Sequence, residues 1–81
     1  MKRQDLHEKF SKLLVRLENW YRNSDLDITD KEYDGLRAWL ESIAYVLKSE
    51  PVDFTDAKLA AFERTYNEAE REIFSRLALG A

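Results

Sequence analysis

His7 is the sequence's only histidine, and there is no cysteine to accompany it. Zinc is held by thiolates, imidazoles and carboxylates in a closed set, so His7 would need carboxylates alone beside it. The neighbouring Glu8 does not make the H-E-x-x-H pattern of a zinc hydrolase. A richer set of oxygens lies at Asp25, Asp27, Asp30, Glu32 and Asp34. The first two positions start a calcium-binding loop correctly. The sixth, which must turn sharply on Gly, is Asp30, and the twelfth, which should be a bidentate Glu, is Leu36. Neither group supports a metal site. The five serines have no nucleophile-elbow context, and a single histidine is the only imidazole base. No Gly-rich loop exists to cradle phosphate. The chain is therefore expected to be non-enzymatic, with no cofactor.

The remaining candidate residues suit binding rather than bond-making. Glu63, Glu68, Glu70 and Glu72 crowd the last third of the chain. Four carboxylates on one helix could meet a basic partner, and Glu70, between Tyr66 and Phe74, falls at the edge of an apolar face. A di-iron bundle would need Glu-x-x-His pairs, which are absent. Residues 1–22 carry six basic and three acidic side chains, a local +3, whereas residues 23–34 carry a local −4. Lys9, Lys12 and Arg16 form a basic patch that could touch phosphates or pair with acidic parts of the same molecule. The net charge of −3 argues against general nucleic-acid binding, which relies on a clearly basic face. Trp39, Tyr45 and Val46 are the third set, because Trp and Tyr concentrate at binding hot spots.

Eighty-one residues, 44% hydrophobic and 36% charged, make one small domain able to bury a core. Two glycines and one proline leave few tight turns, so the chain is expected to be helical. Apolar residues recur at three- and four-residue steps in three stretches. Leu6, Phe10, Leu13, Leu14, Leu17, Trp20 and Tyr21 mark a first helix over Asp5–Arg22, with Val15 opposite. On its polar side Asp5–Lys9, Glu8–Lys12 and Glu18–Arg22 stand in the favourable acid-before-base order. Tyr33, Leu36, Trp39, Leu40, Ile43, Ala44, Val46 and Leu47 mark a second over Asp30–Ser49. Its broad apolar arc suggests the helix that packs against both others. Leu59, Phe62, Tyr66, Ala69, Ile73 and Leu77 mark a third over Asp56–Leu79, with Gly80 placed as its C-terminal cap.

Two similar phrases, "DITDKEYDGL" from Asp27 and "DFTDAKLAAF" from Asp53, open the second and third helices. Thr29 and Thr55 are good N-caps, and Glu32 completes a capping box with Thr29. Ile28 with Tyr33, and Phe54 with Leu59, fit hydrophobic staples. Pro51 stops the second helix. The repeated phrase is thus helix punctuation. The stretch Asp53–Phe62, with "LESIAYVLKSE" before it, also resembles the start of the long helix in the Hha/YmoA family of small bacterial nucleoid-associated regulators. That resemblance implies a helical, non-enzymatic protein that binds the oligomerisation domain of a DNA-organising protein. The chain departs from the family where an Asp-His-Arg run should follow, having Asn67, Glu68 and Ala69 instead.

Short links favour antiparallel neighbours. The expected fold is an all-α, up-down-up antiparallel three-helix bundle, either self-sufficient or completed by dimerisation. With no signal-like or membrane-spanning apolar run, the expected location is the cytoplasm. The expected function is a small protein-binding regulator, adaptor or inhibitor that occludes a partner surface, using Trp39, Tyr45 and Val46 with the glutamates as a rim. The alternatives are a nucleic-acid-associated regulator using Lys9, Lys12 and Arg16, and a self-assembling module in which Trp39 meets a second copy.

Overall fold

Apolar side chains at three- and four-residue steps share a burial face only in a helix. The computed structural model, which describes residues 2–49 and 54–78, has three such helices: α1 (Arg3–Arg22), α2 (Asp30–Ser49) and α3 (Asp56–Ser75). α1 lies antiparallel to α2, since Arg3 at its start donates to the Leu47 carbonyl near the end of α2 at 2.5 Å. Its start also meets the start of α3, where the Arg3 guanidinium lies 4.6 Å from the Phe54 ring centre. The order is up-down-up, as expected.

The helix at the centre is α1, not α2. Both neighbours pack on α1, and α2 and α3 make no comparable backbone approach among the described residues. The reason is visible in the burial pattern. Leu6, Phe10, Leu13 and Leu17 are completely buried, a row with one side chain per turn. Leu40, Ala44 and Leu47 close on it from α2, and Tyr66, Ala69 and Ile73 from α3. The breadth of the α2 arc reflects apolar residues left at its margin rather than a second neighbour. Trp39 remains 40% exposed.

The helix ends follow local chemistry. At Thr29 the expected capping box forms. The Glu32 N–H donates to Thr29 Oγ1 at 3.1 Å, and the Thr29 N–H donates to Glu32 Oε1 at 3.2 Å. Thr55 Oγ1 accepts from the Lys58 N–H at 3.2 Å. The Phe54 ring meets Phe62 edge-on at 5.6 Å, two turns along α3. α1 ends in a Schellman turn: Ser24 N–H reaches Tyr21 O at 3.1 Å and Asp25 N–H reaches Trp20 O at 2.7 Å. Ser24 supplies the left-handed residue, with φ 61°, where Gly is usual.

α3 stops four residues short of Leu79. After Ser75 the chain turns away to pair with the loop before α2. The Asp27 N–H donates to Arg76 O at 2.6 Å, and the Ala78 N–H to Asp25 O at 2.7 Å, bridging Leu26 and Leu77. Leu26 is buried beneath this clasp. Two cross-chain bonds and a buried leucine replace the helical bonds that another turn would supply. The expected cap at Gly80, the helix end at Leu79 and the stop at Pro51 lie outside the described residues.

Two substitutions test these assignments. Leu13→Ala in the central row should destabilise the protein by about 2–5 kcal/mol in urea unfolding, and Leu59→Ala, half-buried on α3, by clearly less. Ser24→Gly should stabilise by up to about 1 kcal/mol, the left-handed strain relieved less the added chain entropy of Gly.

Candidate functional site

α2 offers its outer face to solvent. At 100° per residue, Ala38, Ser42, Tyr45 and Ser49 share that face, with Gly35, Val46 and Trp39 along one margin. Tyr45 is 71% exposed and Val46 half-buried, and together with Ala38, Glu41 and Ser42 they line a shallow depression. No charged side chain falls inside this strip between Gly35 and Ser49. Lys31 shares the face one turn before Gly35, and Asp34, Arg37, Glu41 and Lys48 lie along its other margin. The other helices differ, with Glu8, Lys12 and Arg22 exposed around a single Val15 on α1, and Arg64, Glu68 and Arg71 with a single Phe74 on α3. Gly35 stands mid-helix although a Cβ there would meet nothing within 4 Å. An exposed helical Gly costs about 1 kcal/mol relative to Ala, so packing within the molecule gives no reason for it.

The aromatic anchors expected from sequence therefore do lie together on one exposed face. The four glutamates do not. Glu63 and Glu70 sit on the margin of α3 that faces α1, while Glu68 and Glu72 sit on its other side. Glu70 is engaged, accepting the Tyr66 phenol O–H at 2.9 Å and standing 3.6 Å from the Arg16 guanidinium. Burial, reinforced by the Glu70 carboxylate, pushes the Tyr66 phenol above its ordinary range. Glu72 meets Arg76 at 3.4 Å. Glu68 is exposed and makes no ion pair among the described residues.

The basic patch on α1 turns largely inward along the α1–α3 seam. Arg16 lies 5.0 Å from the Trp20 ring and 4.9 Å from the Phe74 ring, and those rings meet edge-on at 5.6 Å. Lys9 lies 5.3 Å from the Tyr66 ring. Lys12 alone of the three is exposed. Sequence reading missed this cation–aromatic seam, although Arg16, Trp20 and Phe74 all fall on helix margins that helical spacing could have flagged.

The three acid–base pairs expected along α1 do not close. Glu18 instead crosses the α1–α2 seam to Arg37 at 3.5 Å, and Arg37 holds Glu41 at 2.9 Å. Next to them Tyr21 and Tyr33 stack at 3.8 Å, with planes 6° apart. The Tyr21 phenol donates to the Asp30 carboxylate, which pushes it up to about 12. Two carboxylates of the acidic stretch 25–34 are likewise engaged within the molecule. Asp30 takes the Tyr21 phenol, and Glu32 caps α2 and meets Arg76 at 2.8 Å. No group of His, Cys, Asp or Glu able to hold a metal ion occurs among the described residues. No described helix is long and apolar enough to cross a membrane.

Compared with protein-family models, curated proteins and solved structures, the chain matches none. The resemblance of Asp53–Phe62 to the Hha/YmoA helix thus gains no support. Its described part does what such residues do in any helix, with Thr55 capping α3.

Glu32 gives a pH test. Its bonds from the Thr29 N–H and hydroxyl, then the Arg76 guanidinium, hold its carboxyl below the ordinary 4.5. The stabilisation is complete above that value and is lost as pH falls through the lowered one. Thermal melts from about pH 6 to about pH 3 should show wild type losing more of its melting temperature than Glu32→Gln, the two converging at the acid end.

Proposed function

We propose that this is a small, non-enzymatic protein-binding module that works by docking a partner on the outer face of α2 and covering it. The observation that supports this reading is the uncharged strip around Trp39, Tyr45 and Val46 on a molecule whose other outer faces are charged. Interface centres are depleted of charge and enriched in Trp and Tyr. Gly35 strengthens the reading, because a helix stabilised by Ala at that position would lose the space for close approach. Asp34, Arg37, Glu41 and Lys48 supply a polar rim on one side.

Glu63 and Glu68 lie on opposite sides of α3 and do not border the α2 face, and Glu70 and Glu72 are occupied within the bundle. The protein would act as a regulator, adaptor or inhibitor by occluding the surface it covers. A cytoplasmic setting is in keeping with a chain that uses no cysteine. Lys9 and Arg16, committed to Tyr66, Trp20, Phe74 and Glu70, are poorly placed to track phosphates.

The test is affinity capture from nuclease-treated lysate with wild type, Ser42→Arg and Gly35→Leu. Both substitutions sit on solvent-facing helix and should leave the fold intact by circular dichroism. A stoichiometric protein, foreign or a second copy, held by wild type and lost at least tenfold with either variant is the expected result. Equal recovery with all three would remove the α2 face from the function. Recovery that disappears with nuclease and with Lys12→Glu would favour a nucleic-acid role for α1.

A further inference from the structure

We propose that the outer face of α2 docks the same face of a second copy, antiparallel, about a two-fold axis near Ser42. This rests on the reading of that face as a binding surface and names its occupant. The arrangement of side chains about Ser42 is the reason. An antiparallel pair brings residue 42 + n of one copy beside residue 42 − n of the other. Trp39 is then level with Tyr45 of the second copy but on the opposite margin; on its own margin its neighbour is Val46, one residue of rise away, and the neighbour of Tyr45 is likewise Ala38. Each bulky side chain meets a smaller one, twice over, and nothing on the strip meets its own kind except Ser42.

The charges obey the same symmetry. Asp34 and Lys48 are exposed on one margin of α2, near opposite ends, and neither makes an ion pair among the described residues. In the antiparallel pair Asp34 of each copy lies within about 3 Å along the axis of the other copy's Lys48, two residues of rise. Arg37 lies one residue of rise from the other copy's Lys48, its charge shared by Glu18 and Glu41, and Glu41 approaches its mate near the axis. Each Glu41 is already held by Arg37 at 2.9 Å, which offsets it.

A single helical face about 21 Å long buries less than the roughly 800 Å² per partner of a standard stable interface. The association is therefore reversible and concentration-dependent. It differs from a bundle that needs a partner to fold, since the α1 row is completely buried within one chain.

Sedimentation equilibrium on the full chain, from roughly 5 µM to about 1 mM, measures it. Wild type should pass from monomer toward dimer, and Ser42→Arg should remain monomeric with an unchanged helical spectrum. Asp34→Lys and Lys48→Asp should each weaken the dimer about three- to tenfold, since each alters two symmetry-related contacts. The double variant carrying both should return to within about twofold of wild type. A wild type monomeric throughout, or a double variant no tighter than the singles, overturns the proposal. If wild type is monomeric while a foreign partner is captured and then lost with Ser42→Arg, the self-docking proposal fails and the binding role of the face survives. If neither association occurs, both fail.

Discussion

The fold depends on one row of side chains, Leu6, Phe10, Leu13 and Leu17, from which α1 excludes water completely. Burying a large apolar side chain yields about 1.5–3 kcal/mol. Four in one row make α1 the element both neighbours must cover. α2 brings Leu40, Ala44 and Leu47 to one flank of the row. α3 brings Tyr66, Ala69 and Ile73 to the other, with the Phe10 and Tyr66 rings meeting edge-on at 5.4 Å. Each outer helix therefore needs only a modest stripe for the core. What it carries beyond that stripe is free to do something else.

The two seams are built differently on either side of this row. Toward α2 the contacts are stacked tyrosines and a Glu18–Arg37–Glu41 chain. Toward α3 they are cations over rings, with Arg16 between Trp20 and Phe74 and closed by Glu70. At one end of the bundle Arg76 joins the layers, accepting from the Asp27 N–H through its carbonyl and meeting Glu32 through its guanidinium. That clasp explains why α3 yields its last turn: the carbonyl that would continue the helix is used to hold the loop before α2. All these ion pairs are at least partly exposed, so each adds little alone. Their role is to select one register of three helices on a row that aliphatic packing alone would let slide.

The three helices and the starts of α2 and α3 were legible because the information is local, whereas α1 starts at Arg3, two residues before the expected Asp5. Apolar spacing, Thr29 with Glu32, and Thr55 each act within one or two turns, and those features stand where expected. The choice of central helix was not legible from the width of an apolar arc. Width counts apolar residues without saying which are covered, and Trp39 inflated the arc of α2. The end of α3 and the fate of the α1 charges were also hidden, because each is settled by a partner distant in sequence. Leu77 pairs with Leu26, Glu18 pairs with Arg37, and Arg16 pairs with Glu70. Of the candidate residues, Trp39, Tyr45 and Val46 could be grouped by helical angle alone. The four glutamates could not be judged as a set without knowing that α1 occupies one side of their helix.

The α2 outer face gains its meaning from the completeness of everything beneath it. No buried side-chain nitrogen or oxygen among the described residues lacks a hydrogen-bond partner, and the core row is fully covered. A bundle closed in this way gains nothing from leaving Trp39 and Tyr45 in water or Gly35 in an exposed helix. Replacing them with charged helix formers would make a more soluble molecule, and Ala for Gly a more stable one. Such locally unfavourable choices in an otherwise consistent sequence are expected where a surface is used. The alternative is that the face is incidental, as scattered surface apolar residues often are. Against that stands their placement. Val15 on α1 and Phe74 on α3 are exposed singly, whereas Trp39 and Tyr45 share one strip of α2 that holds no charge between Gly35 and Ser49.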